Sequence, residues 1–182
     1  MKAQNKILLI EQLQKEVRRQ SEIVTGHFNG ISSEKLLATT DTGGWSVIQN
    51  LEHLNLYYDY YNPAIKKSLK RTTSEGSSLT FSSGWLGNYF TNSMDYRKEG
   101  KIKAFKDYIP EVDLNSDAVI TKFLSNQEEM LRLLEEAKDY NLTKIKTAIS
   151  LTKWIKMRLG DVFQFVIMHN ERHIVQAQSI VK

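Results

Sequence analysis

Four stretches of this sequence place apolar side chains at steps of three and four, the repeat of one face of an α-helix. In the first, residues 5–28, the stripe is Ile10, Leu13, Val17, Val24 and Phe28. In the second, 45–71, it is Val47, Leu51, Leu54, Tyr58, Tyr61 and Ile65. In the third, 116–139, it is Ile120, Phe123, Leu124, Met130, Leu131, Leu134 and Ala137. In the last, 159–182, it is Val162, Val166, His169, His173, Ala177 and Ile180. A helix with one apolar face must bury that face against another element. No alternating strands stand out between the stretches, and no internal repeat is found. The pattern predicts an all-α four-helix bundle with a long crossover connection between the second and third helices.

Local signals set the boundaries. Gly26, Asn29 and Gly30 end the first helix, and His27 beside them reads as a capping or surface histidine. Ile31 to Ala38 forms a short helical turn with Ser32 or Ser33 as its cap. After a break at Thr39–Gly44, Ser46 caps the second helix, with Gln49 as its capping-box partner. Pro63 removes a backbone donor inside that helix and predicts a kink or a split. Residues 72–84 are a polar connection rich in Ser, Gly and Thr, followed by a short helix from Trp85 to Met94 and an ordered loop from Lys101 to Pro110. A connection this long crosses the fold or covers a site. Trp85, Tyr89, Phe90, Phe105 and Tyr108 give it aromatic surface to pack down. Asn115, Ser116 and Asp117 cap the third helix. Leu142 to Ser150 is a partly apolar link, followed by a stretch carrying Trp154.

At 182 residues the chain suits a single domain, residues 1–182, with a core that needs neither disulfides nor a structural metal. A metal would therefore serve chemistry. No apolar run reaches the ~18 residues of a membrane span. The N-terminus lacks the apolar centre and cleavage site of a signal peptide, so a cytoplasmic protein with no membrane contact is expected. The absence of cysteine excludes disulfides, zinc thiolates, iron–sulfur clusters and a cysteine nucleophile. Any thiol must come from a cosubstrate. The net charge of +4 is modest, and its denser spots, Lys66–Arg71 and Arg97–Lys106, suit solvated ends and loops. No nucleic-acid partner is expected.

The chain has four histidines, and two of them, His169 and His173, interrupt the apolar stripe of the last helix one turn apart. Imidazoles so spaced have Cβ atoms roughly 6 Å apart and can share one metal ion at about 2.0–2.1 Å each. His53 lies beside the stripe of the second helix, on a face with Ser46, Gln49, Asn50, Tyr57 and Tyr60. That face suits a pocket wall; the competing reading is a half-exposed helix surface. Three neutral imidazoles around one ion leave a position open, as in a catalytic site. There water would ionise nearer to a pKa of roughly 7, and a thiolate would serve equally. Zinc, nickel, iron and cobalt all accept such nitrogens. Gln49, Asn50, Tyr57, Arg172 and Gln176 are within reach to orient the rings. Glu52 adjoins His53 and points about 100° away, and Glu171, two residues from His169 and from His173, also points elsewhere.

Two motifs in this order and separation, WSVIQNLEHLNLYYDYYNPAI with His53 and LRLGDVFQFVIMHNERHIVQAQ with His169 and His173, resemble the DinB-like (DinB/YfiT) superfamily. The resemblance covers nearly the whole chain. It implies a four-helix bundle with a long crossover, a divalent metal held by His53, His169 and His173, bacterial origin and frequent homodimers. It further implies an enzyme that activates a low-molecular-weight thiol cosubstrate, or water, against a small electrophilic substrate, as a thiol transferase or hydrolase. The other expectation is a non-catalytic bundle that binds a small ligand or serves as a stress-response dimer.

Overall fold

A computed structural model of the chain describes residues 3–28, 30–40, 43–71, 78–98 and 103–181. Parts of the crossover (72–77 and 99–102) and Asn29, expected to mark a helix end, lie outside the described residues. The described chain is mostly helical. A two-residue strand, β1 (Gln4–Asn5), leads into α1 (Lys6–His27), followed by α2 (Ser33–Leu37) and α3 (Val47–Lys70). The crossover carries β2 (Thr80–Phe81) and α4 (Trp85–Ser93) before α5 (Ser116–Glu136). A hairpin, β3 (Lys146–Ile149) and β4 (Thr152–Arg158), then leads into α6 (Leu159–Ile180).

The four long helices pack in a closed circuit, with α1 and α3 each against both α5 and α6. Their starts follow local chemistry. Asn5 accepts from the Ile7 and Leu8 amides at the head of α1. Ser46 and Gln49 close a reciprocal capping box on α3. Asn115 accepts from the Ala118 amide to start α5. The stripes of α1 and α3 are buried as their spacing predicts. On α5 the buried face is rotated: Val119, Gln127 and Leu133 are inside, while Ile120, Leu124 and Leu131 are only partly covered. Gln127 draws the face round because its amide is needed at the centre of the core, where it meets Tyr58.

Three expectations are corrected. Of the kink or split expected at Pro63, the split does not occur: α3 runs through it to Lys70. The turns on either side are held by fully buried Tyr61, Ile65 and Leu69, and this packing outweighs one lost backbone bond. The link before the last helix is not strandless. β3 and β4 pair antiparallel, Lys146 opposite Arg158 and Thr147 opposite Met157, with Ile145, Thr147, Ile149 and Met157 turned inward. The alternation is short and its turn, Ser150–Leu151, lacks the Asn-Gly or Gly-Gly signature of a tight hairpin. Finally, the crossover aromatics do not all pack down. Phe90 and Tyr108 lie against the core, but Trp85, Tyr89 and Phe105 are exposed.

Among the points that pin the crossover is Asp161, in the first turn of α6, which is buried and accepts from the Ser83 hydroxyl and the Gly84 amide. A Cβ on Gly87 would lie 2.1 Å from Asp161, so α4 can approach α6 this closely only with glycine there. This places Phe90 and Met94 against one end of a cavity between α3 and α6.

Candidate metal centre

His53 comes from the middle of α3, and His169 and His173 from successive turns of α6. The packing of α3 on α6 brings the three rings together, with centroids 4.5 to 5.0 Å apart. One nitrogen from each ring forms a set lying within 4.8 Å of one another. His53 is 2% and His169 3% exposed, which removes the surface reading of His53.

The hydrogen bonds fix which nitrogens face inward. Asn50 donates its amide to the Ser46 carbonyl at 2.9 Å, so its oxygen faces His173 Nδ1 at 3.0 Å. An amide oxygen only accepts, so that Nδ1 carries the proton and Nε2 keeps a bare lone pair. His53 Nδ1 donates to the Tyr108 carbonyl at 2.5 Å, with the same result. His53 Nε2 and His169 Nε2 stand 3.2 Å apart, the separation that two bonds of about 2.05 Å make at an angle of about 100°. His169 Nδ1 is buried without a hydrogen-bond partner among the described residues. Without an ion, the His169 proton is best placed on Nε2, donated to the lone pair of His53 Nε2; an ion would replace that bond and leave the proton to Nδ1. Ring type, tautomer and separation all fit a divalent transition metal.

Electrostatics point the same way. Burial pushes the His53 imidazole down to about 4, although its bond to Tyr108 opposes this. Burial takes His169 and His173 well below the usual histidine range, and each is lowered further by neighbouring imidazoles and by the Arg172 guanidinium. At neutral pH all three rings are uncharged, the form that ligates metal.

Of the other residues expected near the rings, Asn50 orients His173 and Gln176 also bonds to it. Tyr57 packs at a tilt against His53 and His169, with ring centroids 5.0 and 4.3 Å away. Arg172 lies along the same cavity wall. Gln49 is not turned to an imidazole: its oxygen closes the cap of α3 and its amide reaches the Glu111 carbonyl. Glu52 and Glu171 face away, to Lys122 and Arg19 respectively.

The rings floor a cavity of about 920 Å³. Trp45 stacks on His173 at 5.8 Å and packs on His53 at 4.7 Å. Phe165 stacks on His169 at 5.8 Å. The crossover supplies Lys103, Ala104 and Phe105, and the hairpin supplies Ile149, Ser150, Leu151 and Met157. Sequence reasoning assigned the site no part for Phe165, which sits one turn before His169 and could have been read from that spacing. The Tyr108 carbonyl left no signal, because a backbone acceptor has no residue type.

Residues 16–177 match a family model described as the DinB superfamily. No curated protein and no solved structure matches the chain.

Proposed function

Since the chain belongs to the DinB superfamily, we propose that it is a metal-dependent enzyme acting on a small molecule in the cavity above His53, His169 and His173. The observation that carries this reading is the convergence of three neutral imidazoles, drawn from two distant segments, on the floor of one large cavity. The four long helices are read as a four-helix bundle, a fold that builds metal sites from inward side chains on facing helices.

A divalent ion such as zinc, nickel or iron held there supplies Lewis acidity, which makes a thiol cosubstrate or water nucleophilic at neutral pH. The chain's own residues do the rest. Asn50 and the Tyr108 carbonyl hold the Nδ1 protons of His173 and His53, which aims each Nε2 inward. Trp45, Tyr57 and Phe165 cover the rings and keep water from their edges. The crossover contributes Lys103, Ala104 and Phe105 to the cavity wall, and an electrophile in the cavity meets the imidazoles. The reaction type assigned is thiol transfer or hydrolysis, in a cytoplasmic homodimer.

Elemental analysis of purified protein tests the reading. About one equivalent of transition metal is expected per chain, and His53→Ala or His173→Ala should retain less than about a tenth of it. Helical circular dichroism should be kept, because the core does not depend on the ion. Full occupancy in both variants would remove these histidines from the site. A metal-loaded protein that accelerates neither thiol addition nor hydrolysis of small electrophiles would instead be a binding module.

A further inference from the structure

If the cavity is the reaction chamber, as proposed above, the neutral polar groups on its wall help specify what enters. Most of them are already spent. Asn50 and Gln176 bond to His173, and Tyr61 bonds to Ser150. Thr40 accepts from the Gly44 amide at 2.7 Å, and Ser179 donates to the Gln176 carbonyl at 2.6 Å. Tyr57 is the exception. It lines the cavity and is 6% exposed, yet its hydroxyl makes no hydrogen bond among the described residues. Nor is that oxygen sealed in the core, as His169 Nδ1 is; it opens on the cavity. The contacts of Tyr57 are through its ring, to His53, Tyr61, Tyr108, Phe165 and His169, and a phenylalanine would make them equally well. A buried hydroxyl with no internal partner costs stability, and such local costs are expected at functional sites.

We propose that Tyr57 Oη is a hydrogen-bond donor to the substrate, and that the substrate is a carbonyl compound whose oxygen accepts from it while its carbon faces the imidazoles. Tyr57 stands one turn after His53 on α3, with its ring centroid 4.3 Å from that of His169. One small molecule therefore spans the hydroxyl and the histidines. A phenol keeps its proton at neutral pH and can donate it to a hydrogen bond. When a thiolate or hydroxide adds its electron pair to the carbonyl carbon, the π pair of the C=O bond moves onto the oxygen. The bond from Tyr57 strengthens as that charge grows, which lowers the barrier. An electrophile without an oxygen, such as an alkyl halide, would cover the hydroxyl and leave it unpaired.

The test compares acetophenone with α-methylstyrene, its isostere with a methylene in place of the oxygen, on the protein as purified and on Tyr57→Phe. In calorimetric titrations the ketone-to-alkene affinity ratio should fall about ten-fold in the variant. In isotope-edited infrared spectra the carbonyl band of bound, carbonyl-labelled acetophenone should lie at lower frequency in the unaltered protein than in Tyr57→Phe, a signature that a merely structural hydroxyl does not move. The urea midpoint of the variant should be no lower than that of the unaltered protein. An unchanged ratio, an unshifted band, or no binding of the ketone at millimolar concentration overturns the proposal. So does a variant that unfolds more easily or fails to fold, because the hydroxyl would then have a partner inside the protein. Normal metal content with any of these results overturns this inference alone. A shifted band in a protein that never takes up metal overturns the enzymatic reading and leaves the Tyr57 contact standing.

Discussion

Gln20, Tyr58, Gln127 and Asn170 meet at the middle of the core, one from each of α1, α3, α5 and α6, while His53, His169 and His173 meet between α3 and α6 alone. Both groups are polar, and all but half-buried His173 are buried. In the first, donors and acceptors are spent on each other. Tyr58 donates to Gln127 and accepts from Asn170, and Gln20 accepts from Gln127 and Asn170 while donating to the Ile167 carbonyl at 3.0 Å. Only the Asn170 oxygen is left over. In the second, lone pairs of one kind converge, and a cavity stands above them. A closed network joins helices; converging lone pairs ask for a cation.

The sharpest way to separate the two is Tyr58→Phe. It leaves the Gln127 oxygen and an Asn170 donor unmet in a fully buried place, and should cost about 2–3 kcal/mol of folding free energy. Urea denaturation measures the loss. Metal content should stay at one equivalent, and a loss of metal would mean that the two groups are coupled rather than distinct.

Acid should act on the histidines and spare the network. His53 has its folded-state pKa lowered to about 4 from 6.5, and His169 and His173 move in the same direction. Between those values the unfolded chain binds protons that the folded chain refuses. The stability of metal-free protein is therefore intact above pH 6.5 and falls as pH drops toward 4. The His53 contribution to this loss is about 2 kcal/mol at pH 5. Burial raises Tyr58, so nothing in the network titrates in this window. Urea midpoints at pH 5 and pH 8 should differ less for metal-free His53→Gln than for the unaltered protein; identical pH slopes would refute the assignment of this acid sensitivity to His53.

A smaller effect is expected from Asn50→Leu. It removes the acceptor that holds the His173 Nδ1 proton and lets the ring turn. Losses of about 10- to 100-fold in metal affinity follow from removing such partners, and competition with a chromophoric chelator would measure this one. Unchanged affinity would mean that Gln176 alone suffices to orient His173.

The helices were legible because the stripes on α1, α3 and α6 repeat over many turns, and each turn votes for the same face. The polar network was not. Gln127 occupies a core position that an apolar count skips, so Phe123, Met130 and Leu134 were placed inside correctly while Ile120, Leu124 and Leu131 stood in for Val119, Gln127 and Leu133. The hairpin was missed because its inward residues, Ile145, Thr147 and Ile149, make only three beats before the turn, too few to outweigh a linker reading. At the site, the pairing of His169 with His173 followed from one-turn spacing. The partnership with His53 depended on how α3 packs on α6, which no local pattern encodes. Gln49 shows the reverse error: proximity on a helical wheel suggested a role beside a ring, but the start of α3 needed its side chain for the cap.

Glu171 should give the smallest change of all, and that smallness is informative. It stands between His169 and His173 in sequence, where a carboxylate would be the obvious candidate for a general base. Glu171 lies two residues from each histidine, which on a helix turns its side chain by about 200° from either, and it accordingly faces α1, where it pairs with Arg19 and receives a long bond from Gln20 at 3.5 Å. It touches the edge of the closed network rather than the imidazole centre. Glu171→Gln keeps the shape and an acceptor for Gln20 while removing the charge seen by the half-exposed Arg19. The cost should stay below about 1 kcal/mol, as for other partly exposed pairs. Metal content and the pH dependence of metal-free stability should not move. A drop in metal-dependent turnover of ten-fold or more in this variant, with metal content intact, would show that the carboxylate reaches the chamber after all. Proton transfer at the site would then have a group on this chain that its present orientation denies it.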